Sequence, residues 1–215
     1  INNAGVADLA AGPLEGISLG EMRALFEINV FGTLRVTQRF LPLLHRAQGA
    51  RIVNLSSGAV RVPVPMAGAY MMSKLAIDGL TRTLRIELAP FGIEVCAIEP
   101  GGVRTPMTAD ARESIERDWA KMPEGIRQRY RPLLSPANER LLDELEHANP
   151  PERIAAGILH ALMAKNPRPR YTIGKDVRFL PLAQRLLSER KFEEILLRRF
   201  GIARGKGRRQ GEEEV

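Results

Sequence analysis

Two short apolar runs limit what this chain can fold into. Arg51 to Leu55 reads RIVNL and Ile93 to Ile98 reads IEVCAI. Each is β-branched and strand-sized, and each runs straight into residues that end regular structure: Ser56-Ser57-Gly58 after the first, Pro100-Gly101-Gly102 after the second. Between them a helix is expected from about Ala69 to Leu88, closed by Pro90 and Gly92. Ahead of the first run, apolar residues recur at helical intervals from Ser18 to Ala47, with Ser18 placed as an N-cap three residues before Glu21. Helices this long alternating with buried strands act as crossovers, so the expected fold is α/β with a parallel sheet covered on both faces.

At 215 residues and 44% hydrophobic content, the chain suits one core. Residues 108 to 147 are charged and helical in character with proline breaks, and suggest an inserted lobe. Pro150-Pro151 opens a helix to about Ala164, Arg170 to Ile173 is a short strand, and a final amphipathic helix is expected from Leu182 to Phe200. That helix could lie on a membrane surface, but packing on the domain ranks higher because amphipathic helices usually face a core. No uninterrupted apolar run reaches transmembrane length and no secretory leader opens the sequence, so a cytoplasmic protein is expected. Cys96, the one cysteine, falls in the second apolar run and reads as core packing. His45, His147 and His160 lack metal-ligand spacing, so no metal is expected. The net charge of +7 gathers only at Arg198, Arg199, Arg204, Lys206, Arg208 and Arg209, which run into Glu212 to Glu214. Residues 201–215 therefore read as a charged flexible tail, and nucleic-acid binding is not expected without a recognised reading module.

Tyr70 and Lys74 stand four apart on the expected helix, on one face. Alone, such a pair is usually a surface pair. Ser57, however, lies at the C-terminal end of a parallel strand, where open α/β sheets place their ligands. Carbonyl reduction needs a proton donor, and an unperturbed phenol is a poor one near neutrality. A neighbouring ammonium is expected to lower its pKa, and a serine hydroxyl can hold the substrate oxygen.

With those residues in view, Asn2-Asn3-Ala4-Gly5, Asn29 within Ile-Asn-Val-Phe-Gly, Ser57, Tyr70-Met-Met-Ser-Lys74 and Pro100-Gly101-Gly102-Val103-Arg104-Thr105 occur in order. This set resembles the classical short-chain dehydrogenase/reductase signatures over residues 1 to about 106. The resemblance implies a Rossmann-like doubly wound sheet and an NAD- or NADP-dependent oxidoreductase interconverting an alcohol and a ketone or aldehyde. It also implies that Tyr70 is the general acid/base, that Lys74 lowers its pKa and binds the nicotinamide ribose, that Ser57 orients substrate, and that Asn29 completes a proton relay. Asn3, Ala4 and Gly5 would approach the adenosine side of the cofactor. Pro100, Gly101, Val103 and Thr105 would pass over the nicotinamide. Read without the family, Asn29 is a helix-interior residue satisfied by neighbouring backbone, and the other two segments are simply turns.

Family members carry a Gly-rich phosphate loop after their first strand, and none precedes the motifs here. The expectation is therefore an N-terminally truncated fragment: an incomplete fold lacking its first strand-helix units, with residues 1–200 as the catalytic part of one domain and about 105–150 as its substrate-binding lobe. Such a fragment should be inactive by itself, and the choice between NAD and NADP is not readable. Val62, Val64 and Met66, with Met107, Trp119, Met122 and Tyr130, suit an apolar pocket and a steroid-, retinol- or acyl-like alcohol or ketone. The two long helices would pack against a twin subunit in a homodimer or homotetramer. Competing readings are a non-catalytic relative serving as an interaction module, and a sugar-nucleotide epimerase-like enzyme, which also uses Tyr-x-x-x-Lys.

Overall fold

The computed structural model describes residues 1–105, 108, 111–175 and 177–204. Its helices and strands follow in the order α1 (Leu19–Phe26), a π-helical segment (Glu27–Gly32), α2 (Thr33–Leu44), β1 (Arg51–Leu55), α3 (Gly68–Leu88), β2 (Glu94–Pro100), α4 (Ala111–Ala120), α5 (Glu124–Glu146), α6 (Pro151–Met163), β3 (Arg170–Ile173), α7 (Leu180–Leu186) and α8 (Glu189–Arg199). Three strands form a parallel sheet in the order β1-β2-β3, with Arg51 opposite Glu94 and Ala97 opposite Arg170. The segment before them adds to its edge: Asn2 donates its backbone N–H to Val53 and accepts from Leu55, a parallel bridge to Asn54.

The alternation along β1 and β2 explains why both faces must be covered. Ile52 and Val95 point to one side, where they pack with Leu84 and Leu88 of α3 and the half-buried Leu41 and Leu44 of α2. Val53, Cys96 and Ile98 point to the other, against Ile154 and Ala161 of α6 and Tyr171 of β3. A strand apolar on both sides cannot face water on either, so the doubly covered α/β expectation holds. Cys96 is buried, as its place in an apolar run implied. Among the described residues no helix is long and apolar enough to cross a membrane.

The capping box at Ser18 forms as read: Ser18 Oγ accepts from the Glu21 N–H and Glu21 Oε2 accepts from the Ser18 N–H. The end of α3 is set by Gly92, whose φ of 68° is left-handed and hence open to glycine at little steric cost. Two expectations need correction. The helix from Ser18 to Ala47 is interrupted by a wide turn at Glu27–Gly32, which puts Asn29 in the interior. The last helix is two: the chain extends at Leu187 and Ser188, so that Phe192, Leu196 and Phe200 can fold down onto Val62. That packing accounts for α8, whereas Leu182 and Leu186 of α7 remain exposed. The chain beyond 204, expected as a tail, and Met107 lie outside the described residues.

Candidate active site

Three elements converge at the C-terminal end of the sheet. β1 ends at Leu55, and Ser57 follows at the start of a single 3-10 turn, with Ser57 Oγ accepting from the Ala59 N–H at 3.1 Å. α3 begins at Gly68 and carries Tyr70 and Lys74 one turn apart on its inward side. The Ser57 hydroxyl stands close enough to the Tyr70 phenol to draw its pKa down. Lys74 is buried, its Nζ lying 5.6 Å from the centroid of the Tyr70 ring and donating to the Leu55 carbonyl at 3.0 Å. Thus Ser57, Tyr70 and Lys74, separate in sequence, are brought together at the end of β1 and the start of α3.

The electrostatics differ from the sequence expectation in one respect. Burial pushes the Tyr70 phenol above its ordinary value, and the opposing pull comes from the neighbouring Ser57 hydroxyl. Burial, and not the expected lowering by Lys74, is the governing effect on this phenol. Lys74 is itself lowered to about 8 by burial. A phenol held protonated next to a second hydroxyl is poised to give a proton to an oxygen placed between them.

Asn29 reaches the same region from the wide turn. Its Oδ1 accepts from the Val6 N–H at 2.9 Å, and its Nδ2 donates to the Val6 carbonyl at 2.9 Å and to Ser73 Oγ at 3.1 Å. Backbone does satisfy it, but backbone 23 residues away rather than neighbouring. Gly5 sits in the angle between the two elements: a Cβ there would lie 3.2 Å from Asn29 Oδ1 and 3.5 Å from Lys74 Nζ. Asn3 and Ala4 are exposed on the approach to it.

The Pro100–Thr105 segment leaves β2 and is stitched down by Asn149, which sequence reasoning missed. Asn149 Nδ2 and N–H both donate to the Gly102 carbonyl at 2.8 Å, and the Asn149 carbonyl accepts from the Arg104 N–H at 3.0 Å. Gly101 donates to Ile173 of β3, and Thr108 Oγ1 caps the Val103 carbonyl at 2.9 Å. A lone Asn before Pro150-Pro151 carries no sequence signal for this role; only the bridge between Val103 and Asn149 reveals it.

Glu99 was also missed. Its carboxylate is fully buried one residue before Pro100, where it accepts from Arg61, Arg170 and Thr172. Burial pushes this carboxyl up while Arg61 pulls it down. A third missed feature is the polar chain Asn2–Asn54–Thr81, in which Asn2 Nδ2 donates to Asn54 Oδ1 at 2.7 Å and Asn54 Nδ2 donates to Thr81 Oγ1 at 2.9 Å.

Beside the site lies an apolar cavity of about 430 Å³, with Leu14, Val64, Met66, Met71, Tyr130 and Leu196 among its lining. It includes three residues expected to line a pocket, Val64, Met66 and Tyr130. Val62 instead packs against Phe192, and Met122 is buried beside Gly12 and Gly16. The cavity is lined by Met71, next to Tyr70 in the chain, and not by Ser57, Tyr70 or Lys74.

The sequence model of a family described as short chain dehydrogenase matches residues 1–116, which hold Gly5, Asn29, Ser57, Tyr70, Lys74 and the Pro100–Thr105 segment. This chain belongs to the short-chain dehydrogenase family. Among curated relatives, it is 32% identical over 201 residues to retinol dehydrogenase 5 of Mus musculus, covering 91% of this chain and 62% of that protein. It is 33% identical over 192 residues to short-chain dehydrogenase/reductase family 9C member 7 of Homo sapiens, covering 86% and 60%. An uncharacterized oxidoreductase, YusZ of Bacillus subtilis, is 32% identical over 202 residues, covering 93% and 69%. A solved short-chain dehydrogenase from Streptomyces avermitilis superposes with a TM-score of 0.68 at 26% identity, covering 93% of this chain and 67% of that one. This family member spans about three fifths of the length of the first curated relatives it matches.

Proposed function

We propose that this short-chain dehydrogenase interconverts an apolar alcohol and its ketone or aldehyde by hydride transfer with NAD or NADP. The observation that carries the reading is the Ser57 hydroxyl beside the half-buried Tyr70 phenol, with Lys74 Nζ 5.6 Å from the centre of its ring. Tyr70 gives its proton to the substrate oxygen in reduction and recovers it in oxidation. Ser57 holds that oxygen and supports its developing charge. Lys74, as a cation, favours the phenolate in the step that needs it. Asn29 fixes Val6 and Ser73 around the lysine, so its part in a proton relay rests on the family pattern.

The residues present suit the nicotinamide-ribose end of the cofactor. Gly5 leaves the space above Lys74 Nζ that a Cβ would fill, and an ammonium and a phenol are apt partners for ribose hydroxyls. The Pro100–Thr105 segment, held by Asn149, would cover the nicotinamide. When bound, the cofactor supplies or accepts the hydride. Two solved structures of similar fold, 22% and 18% identical, hold NADP and NADH respectively. The apolar cavity and the retinol dehydrogenases among the relatives favour a retinol-, steroid- or acyl-like substrate. In this reading residues 1–200 form the catalytic part and about 105–150 the substrate lobe. The exposed Phe31, Val36, Phe40 and Leu43 on the first helices, with Leu75 and Ile86 on α3, favour a homo-oligomer.

The test is turnover by the intact protein on a panel of apolar alcohols with each nicotinamide cofactor. Tyr70→Phe is expected to cost roughly 10²- to 10⁴-fold in kcat, the usual worth of a positioned acid/base. Equal turnover in the two proteins would remove Tyr70 from the chemistry.

A further inference from the structure

Nothing in the proposed chemistry uses the buried charges around Glu99, yet they are built onto the turn that presents Ser57. Both ends of that turn are fastened to consecutive residues of β2. At the near end, the Ser56 N–H donates to the Ile98 carbonyl at 2.8 Å. At the far end, Arg61 donates through Nε and Nη2 to the two oxygens of Glu99, each at 3.2 Å. Between them Gly58 lies so close to the end of β2 that a Cβ there would stand 3.2 Å from the Pro100 carbonyl.

A paired fork of this kind fixes the guanidinium plane as well as its distance, which a single contact would not do. The carboxylate is held in turn from the opposite side. Arg170 Nε contacts Glu99 Oε1 at 3.1 Å and Thr172 Oγ1 donates to Oε2 at 3.2 Å, while Arg170 also reaches Asp78 of α3 at 2.6 Å. Glu99 is therefore fixed by β3 and, through Arg170, tied to the helix that carries Tyr70 and Lys74. Arg61 is the member that transmits this placement to the serine turn; its own carbonyl is additionally held by Gln184 Nε2 at 2.5 Å.

We propose that Arg61 and Glu99 are a positioning pair for the reaction, which sets the Ser57 hydroxyl against Tyr70 by clamping the serine turn to the end of β2. This rests on the function proposed above. Because β2 continues directly into Pro100–Thr105, the same strand end locates both the hydroxyl that holds the substrate oxygen and the segment assigned to the nicotinamide. A serine displaced by a fraction of an ångström would still bind cofactor but would support the transferring proton poorly.

The experiment compares wild type with Arg61→Met, Arg61→Lys and Glu99→Gln in the intact protein, with Ser57→Ala alone and combined with Arg61→Met. Turnover, KM, cofactor affinity and thermal midpoint are measured for each. Arg61→Met and Glu99→Gln are expected to lower kcat roughly 10- to 100-fold with cofactor Kd unchanged within about two-fold. Arg61→Lys should recover little, since an ammonium lacks the fork. In the Ser57→Ala background, Arg61→Met should add almost nothing, because the two residues act through one hydroxyl. Should Glu99→Gln fail to fold, the partly exposed Arg61 decides the matter alone. An Arg61→Met protein with wild-type kcat per folded molecule, or one whose loss simply multiplies with that of Ser57→Ala, would overturn the pair. A wild-type protein without hydride transfer overturns the function itself, and the pair's role with it.

Discussion

Lys74 offers the most direct quantitative check on the buried site, because its effect can be read from stability without any substrate. An ordinary lysine titrates near 10.5; here burial lowers the group to about 8. The unfolded chain therefore binds a proton that the folded one has released across that interval, and linkage makes the folded state more stable as pH rises through it. Below about pH 8 both states hold the proton and the folded state carries the full cost of a buried ammonium. Above the ordinary lysine value neither holds it, and that cost is gone. Lys74→Met removes the titration while leaving the other groups in place, so the difference between the two proteins isolates it. From those two values, wild type should gain about 2.5 kcal/mol over Lys74→Met between about pH 7 and pH 10. The mutant also leaves the Leu55 carbonyl without its donor, worth about 1–3 kcal/mol, but this displaces the whole difference curve and not its slope. Urea unfolding at intervals across this range, with a common slope m for both proteins, measures it. A difference that stays level with pH would refute the burial argument, and with it the picture of a lysine enclosed beneath the tyrosine ring.

Two further outcomes follow from packing. Gly58→Ala should destabilise by about 1–3 kcal/mol, as expected for overpacking, because its Cβ would collide with Val177 Cγ1 and press on the Pro100 carbonyl. Turnover should fall with it as the serine turn shifts; unfolding curves and kcat matching wild type would contradict the placement of that turn. The exposed apolar residues on α2 and α3 are expected to be covered by a second copy of the protein, so light scattering should give a dimer or tetramer mass, reduced by Phe40→Asp, and a monomeric wild type would dismiss the oligomer.

The parts of the fold that could be read from the chain were those governed by local pattern. β3 at Arg170–Ile173, β1 at Arg51–Leu55 and α3 follow from apolar periodicity bounded by Pro, Gly and Ser, signals that act within a few residues. The Ser57, Tyr70 and Lys74 set was legible because two members share a helix face and the third ends a strand. The break at Leu187 was not, since an apolar stripe reads through it and only the demand of Phe192 and Leu196 for Val62 bends the chain there. Glu99 was hidden for a similar reason: its partners are Arg61 and Arg170, 38 and 71 positions away, and a single Glu after an apolar run looks like a strand end facing water. Spacing along the helix revealed that Lys74 is near Tyr70 but not the burial that acts most strongly on both groups.

The wide turn at Glu27–Gly32 has a geometric consequence for the rod that contains it. Asn29, Thr33 and Thr37 are each four apart and linked carbonyl to hydroxyl down the helix, Thr33 donating to Asn29 and Thr37 to Thr33, and Thr37 then receives the Asn2 amide. A regular helix advances about 100° per residue, so a ladder with steps of four slowly winds off its face. The enlarged turn corrects this phase at its start, letting one rod deliver a carboxamide to Val6 and Ser73 and a hydroxyl to Asn2 at the edge of the sheet. Gaining or losing a single residue within it would rotate one of those two deliveries away, so the length of this stretch is set by two fixed points and not by its composition.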